Sequence, residues 1–278
     1  FRRAIFPEII GSKKSGRSFG ADLTKPRARD LGVPFDGAPG QYNAITDVAG
    51  VEVGYASLVE DKVTGSRTSF VRTGVTAILP RGKSSTDPVF AGWFPLNGNG
   101  DLTGTHWIDE SGWMEGPLLI TNTHSVGVVR DAVIDWQLRH GGFANTEWSM
   151  PVVGETYDGY LNDINGFHIE KRHALQALEA ARSGPVAEGN VGGGVGMMCY
   201  EFKCGTGTAS RVVAKKHGGY TVGVLVQANH GMRYQLQVAG VPIGRTITED
   251  APWSNGADLG NEAGSIVIVV ATDAPLLP

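Results

Sequence analysis

Cysteine is scarce: Cys199 and Cys204 are the only two in 278 residues. Two are too few for a disulfide framework, and the pair lacks the second pair a zinc site would need, so reduced thiols are expected. No apolar run reaches the ~18 residues of a membrane-spanning helix. "AIFPEII" near the start is short and broken by Pro7 and Glu8, unlike the apolar core of a secretion signal. A cytoplasmic location with no membrane partner is the expectation, and a periplasmic or exported protein is the alternative for a chain that begins with Phe. Phosphate-binding loops are missing too. "GGGVGM" has no G-x-G-x-x-G in register, "GTGTAS" has Ser210 where the third glycine belongs, and G-x-x-x-x-G-K-[ST] does not occur. The seven histidines are scattered, H-E-x-x-H is absent, and His168 and His173 do not share a helix face. Neither metal nor cofactor is expected.

Glycine, by contrast, is abundant. Forty glycines beside 41% hydrophobic and 8% aromatic residues describe a globular chain with tight turns and close backbone approaches. The net charge of −4 is uneven: residues 1–30 hold eight Lys/Arg against three Asp/Glu. Residues 1–26 therefore read as a solvated basic arm, and the acidic remainder argues against nucleic-acid binding. No internal repeat or linker divides the rest.

Period distinguishes the elements. "GVTAILPRG" and "PVFAGWFPLNGNGDLTG" read as short apolar strands closed by turn residues. "GPLLITNTHSVGVVRDAVIDWQLRHGG" passes from a strand through a polar turn into helical spacing at Val128, Val129, Ala132, Val133, Trp136 and Leu138, stopped by Gly141-Gly142. "IEKRHALQALEAARSGP" predicts a second helix, with Glu170 near its start and Gly184-Pro185 past its end. "MPVVGETYDGYLND" predicts a strand running into acidic and aromatic residues. "YTVGVLVQANHGMRYQLQVAGVPIG" predicts two strands around a polar turn, and Gly264-Ser265 opens a last apolar strand. Mixed strands and helices without a strict βαβ rhythm predict a layered α/β or α+β sandwich.

Two serines compete as nucleophile. Cleavage before Ser265 would turn its own α-amine into the base that activates its hydroxyl, and an α-amino pKa of about 7.7–8.0 suits that task. Gly264 before it leaves the carbonyl open to attack. Ser125 in "TNTHSVG" has the strand–turn–helix context of a nucleophile elbow, with Asp158 or Asp163 and His230 as partners, but Thr123 stands where G-x-S-x-G requires glycine. In "GETYDGYLND", Glu155 could hold a substrate ammonium and Tyr157 could donate to an oxyanion, while Asp158 and Asn162 suit turn capping. Asn229 in "QANHG" could complete an oxyanion hole or tie the turn.

Seven segments in order, "NAITDVAGVEVG", "LNGNGDLTGTHWI", "LLITNTHSVGVVRDAV", "ETYDGYLND", "GGGVGMMCYEFKCGTGTASR", "VLVQANHG" and "GSIVIVVATDAPL", resemble the L-aminopeptidase/D-Ala-esterase-amidase (DmpA) family of self-processing peptidases, which includes the β-peptidyl aminopeptidases. The resemblance runs from about Arg27 to the end. It implies an α+β fold, an αββα-type sandwich of the DmpA/ornithine acetyltransferase kind that resembles N-terminal nucleophile hydrolases. It implies self-cleavage at Gly264-Ser265, with residues 27–264 as the α-chain part and 265–278 as the start of a β chain whose remainder is absent. By motif position, Ser265 would be the nucleophile, Tyr157 and Asn229 the oxyanion donors, and Glu155 the binder of the substrate's free amine. Peptides, amino-acid amides or esters would be substrates, and αβ heterodimers would assemble into a homo-oligomer. Family members continue past the nucleophile with a further Ser and Glu, which this sequence lacks. Ornithine acetyltransferases also cut themselves but use threonine, so Ser265 separates this chain from them. An esterase using Ser125 and a non-enzymatic glycine-rich binding protein are the competing readings.

Overall fold

A computed structural model describes residues 25–64, 67–143, 147–252 and 264–276. The proposed basic arm falls almost wholly outside these residues. The elements, in chain order, are β1 (Glu52–Thr64), β2 (Arg67–Leu79), β3 (Val89–Phe90), α1 (Thr105–Ser111), β4 (Trp113–Met114), β5 (Leu118–Asn122), α2 (Val126–Arg139), β6 (Val152–Thr156), α3 (Lys171–Glu179), β7 (Met198–Cys199), β8 (Phe202–Lys203), β9 (Thr206–Val212), β10 (Thr221–His230) and β11 (Gly264–Thr272).

Two sheets carry the architecture. The first has the order β1-β2-β5-β6, antiparallel except for the parallel β5–β6 pair, and the second is the antiparallel meander β11-β10-β9. On one face of the first sheet, Ala56, Leu58, Val71, Val75, Leu119 and Val153 pack against Val129, Val133 and Trp136 of α2 and Ala174, Ala177 and Leu178 of α3. On the other face, Val53, Ile78 and Ile120 meet Leu225 of β10, with Val267, Val269 and Ala271 of β11 packed beside them. Both faces of the first sheet are thus covered, so β6 is buried along its whole length rather than alternating. The outer face of β11 is different: Ile266, Ile268 and Val270 are exposed among the described residues.

Local chemistry fits each element. Gly54 lets α3 approach β1, because a Cβ there would lie 2.1 Å from the Ala177 carbonyl oxygen. At the C-terminus of α2, Gly141 and Gly142 take positive φ, and Gly142 N–H donates to Gln137 O. The free edge of β6 is closed by Thr103, whose N–H donates to Val153 O while its hydroxyl accepts from Val153 N.

Three expectations need correction. The second helix stops at Glu179, because Arg182 pairs with Val53 at the edge of β1 through two backbone hydrogen bonds. "PVFAGWFPLNGNGDLTG" yields only the two residues of β3, in a stretch where Pro88, Gly92 and Pro95 interrupt any ladder. The segment after the Asn-His-Gly turn forms 3-10 turns instead of a second strand. Both edges of β10 are already occupied by β9 and β11, and Arg233 is drawn inward to the carbonyls of Tyr200, Glu201, Ile247 and Glu249.

Candidate active site

The site forms where the two sheets meet. Antiparallel register sets Ser265 opposite Asn229 and Gly264 opposite His230, so the Gly-Ser bond lies at the start of β11 beside the end of β10. Just beyond β6, the Tyr157 backbone N–H donates to Ser265 Oγ at 3.0 Å. Asn229 Nδ2 donates to Tyr157 O at 2.8 Å and lies 3.3 Å from the same Oγ. Two donors from different sheets therefore converge on one hydroxyl. The amide is oriented from behind, since Asn229 Oδ1 accepts the Met198 backbone N–H at 3.0 Å.

The sequence suggested Tyr157 as a donor to an oxyanion, without saying through which atom. In the continuous chain its main-chain N–H makes the contact, while the ring stands edge-on to Tyr160, largely exposed. Glu155 is buried at the C-terminal end of β6 and accepts a hydrogen bond from the Thr123 hydroxyl. Gly100 comes so close to this carboxylate that an added Cβ would sit 3.2 Å from Oε1. Ser265, Tyr157 and Asn229 are thus joined by direct hydrogen bonds, and Glu155 lies two residues from Tyr157 on the same strand end.

Ser125 is placed otherwise. It is buried in the 3-10 turn between β5 and α2, and among the described residues no hydrogen bond links it to a histidine. Its backbone φ is −109°, without the strain of a nucleophile elbow. His230 instead stands edge-on to Tyr200, and Asp163 pairs with His168. Asp158 is fully buried, with Oδ1 accepting from Asn162 Nδ2; burial pushes its carboxyl up to about 6, partly offset by the Thr73 and Asn162 hydrogen bonds.

Sequence reasoning missed the support behind these groups. Gln227, fully buried, donates through Nε2 to Thr156 Oγ1 at 2.7 Å and accepts from Thr76 Oγ1 at 3.2 Å, tying β10 to the first sheet. Cys199 and Cys204, expected as thiols, are disulfide-bonded with Cα atoms 5.5 Å apart. The β7–β8 hairpin sets Cys199 opposite Phe202 and returns the chain so that Cys204, just past β8, reaches it; the spacing around "YEFK" by itself does not signal the bond.

The pattern of peptidase family S58 matches residues 43–278. The chain belongs to this family. It is 56% identical, over 98% of its own length and 70% of the relative's, to beta-peptidyl aminopeptidase BapA of Sphingosinicella microcystinivorans. Its fold is similar to a Burkholderia sp. beta-aminopeptidase, with a TM-score of 0.81 and 52% identity over 91% of this chain and 68% of that one. It is equally similar to the L-aminopeptidase D-Ala-esterase/amidase of Ochrobactrum anthropi, described as a variant of the Ntn hydrolase fold, with a TM-score of 0.82 and 50% identity over 91% and 69% of the two chains. The chain therefore spans about 70% of the length of these relatives. The S58 chain has the mixed helix-and-sheet architecture of those Ntn-type proteins, and it is a hydrolase of the peptidase class. This removes the α/β-hydrolase esterase and the non-enzymatic binding protein as readings of the fold.

Proposed function

We propose that this S58 chain cuts its own Gly264–Ser265 bond and then acts as an aminopeptidase with Ser265 as N-terminal nucleophile. The observation that carries this reading is the convergence of Tyr157 N–H and Asn229 Nδ2 on Ser265 Oγ at the Gly-Ser bond. In processing, Oγ attacks the Gly264 carbonyl carbon, the C–N bond to Ser265 breaks, and the hydroxyl proton ends on the new α-amine. Water then hydrolyses the Gly264 ester, leaving a Gly264 carboxylate and freeing Oγ beside the amine released in the first step. In turnover that amine takes the Oγ proton as Oγ attacks the substrate, and returns a proton to the leaving group. A carbon bonded to Oγ carries its oxyanion within reach of the two donors, which are fixed before the charge develops.

Glu155 supplies the exopeptidase character. Buried and already oriented by Thr123, its carboxylate is best satisfied by a substrate ammonium, so a blocked N-terminus leaves it uncompensated. Substrates are peptides, amides or esters with a free first amine, and the likeness to β-peptidyl aminopeptidases favours β-residues among them. The processed αβ units assemble as a homo-oligomer in this reading.

The test compares free and N-acetylated chromogenic amides. Glu155→Gln is expected to raise KM for the free-amine substrate about 10- to 100-fold, the scale of one lost charged hydrogen bond, with self-cleavage retained. Equal turnover of blocked and free substrates by the parent enzyme, or equal loss of processing and turnover in the variant, contradicts the assignment.

A further inference from the structure

The β7–β8 hairpin sits behind the oxyanion amide, and its backbone is held in an unfavourable form. Its two turn residues, Tyr200 and Glu201, take φ of 51° and 66°. That conformation suits Asn-Gly and is disfavoured for residues with larger side chains. A hairpin of two-residue strands also has little stability of its own. The bond from Cys204 N–H to Met197 O extends its own ladder, and external ties hold it: Tyr200 N–H donates to His230 O, and the Arg233 guanidinium bonds the Tyr200 and Glu201 carbonyls while stacking on Phe202. A further tie is covalent. The Cys199–Cys204 bond closes the hairpin, with both sulfurs 3.0–3.3 Å from the carbonyl oxygen of Ala228, the residue before Asn229.

The first residue of this hairpin, Met198, gives its N–H to Asn229 Oδ1. Together with the bond from Nδ2 to Tyr157 O, that contact sets which end of the amide faces Ser265. We propose that the Cys199–Cys204 disulfide is a positioning element for catalysis, holding Met198 so that Asn229 Nδ2 stays aimed at the oxyanion, and that reduction slows turnover without weakening substrate binding. The proposal rests on Asn229 as an oxyanion donor. Reduction takes two electrons and two protons from a dithiol, which leaves as its own disulfide, and yields two thiols. Both cysteines are only half-buried, so a small dithiol can reach them. In a thiol-rich compartment the enzyme would work in its slower form, and in an oxidising one in its faster form.

The test uses the complete, already processed enzyme, which separates turnover from self-cleavage. Peptide mapping with and without dithiothreitol reports the bond, and kcat and KM are measured in both states and for Cys199→Ser/Cys204→Ser. The expected result is a linked Cys199–Cys204 peptide and kcat reduced ~10-fold on reduction, less than the ~100- to 1,000-fold typical of losing an oxyanion donor outright. KM should stay within about twofold, because the amide acts on the transition state. In Asn229→Ala, kcat should already be low and should fall no further on reduction. Free thiols in the native enzyme, or kcat unchanged on reduction, overturn the proposal. So does an equal fall in Asn229→Ala, since the bond would then act elsewhere. Full activity of Asn229→Ala would instead sink the reading of Asn229 itself.

Discussion

Asp158 occupies an unusual position for a carboxylate, fully buried in the residue after Tyr157. Burial raises its pKa to about 6, against about 3.9 in an unfolded chain. Between those values the folded state binds the extra proton, so the stabilisation from the neutral acid is complete below about pH 4 and is lost as pH rises through about 6. A shift of two units corresponds to about 3 kcal/mol. Asp158→Asn abolishes this titration. Urea unfolding of both proteins at pH 4 and pH 7 should show the variant gaining about 2 kcal/mol relative to the parent over that interval. A constant difference between the two proteins would mean that Asp158 stays ionised. Ser265, Asn229 and Glu155, which the proposal assigns to the site, stood out in the sequence as a serine opening an apolar strand, an amide ending one and a carboxylate at the end of another. The contact from the Tyr157 N–H was not legible: a backbone N–H is common to every residue, so only the packing of the end of β6 against the start of β11 reveals it.

At the level of elements, the two sheets are joined by a buried polar pin as well as by aliphatic packing. Gln227 on β10 reaches Thr156, which lies between Glu155 and Tyr157, so the strand carrying Asn229 is fixed relative to the strand end carrying the other donor. Gln227→Leu leaves the Thr156 and Thr76 hydroxyls without their buried partner, at a cost of about 2–4 kcal/mol for the two groups. Adding Thr156→Val removes one stranded group, so the double variant should be more stable than the sum of the two single losses. Urea midpoints check this, and strict additivity would show that the pair is not coupled. Helix α2 was readable from its 3.6-residue spacing and glycine stop, and β11 from its β-branched run. The truncated α3 was not, since good helix formers continue past Glu179 and only the pairing of Arg182 with Val53 ends the helix. Likewise, "MRYQLQV" has the composition of a strand, but no free sheet edge of β10 remains to receive it.

The whole molecule brings together parts distant in sequence: β10 and β11 pair within one sheet, and β6 meets them because the two sheets pack face to face. The S58 family assignment and the sandwich were both within reach of the sequence, since ordered segments along most of the chain carry the resemblance. The disulfide lay outside it, because two cysteines five residues apart acquire meaning only when a hairpin turns them toward each other. The central claim is that this architecture makes Ser265 both the site of self-cleavage and the nucleophile. Denaturing intact-mass analysis of the protein expressed from its complete gene, beside Ser265→Ala, tests it most directly. The account predicts that the parent separates into one chain ending at Gly264 and another beginning at Ser265, while the variant remains uncut and inactive. A single chain in both proteins, or cleavage that persists in Ser265→Ala, would contradict it.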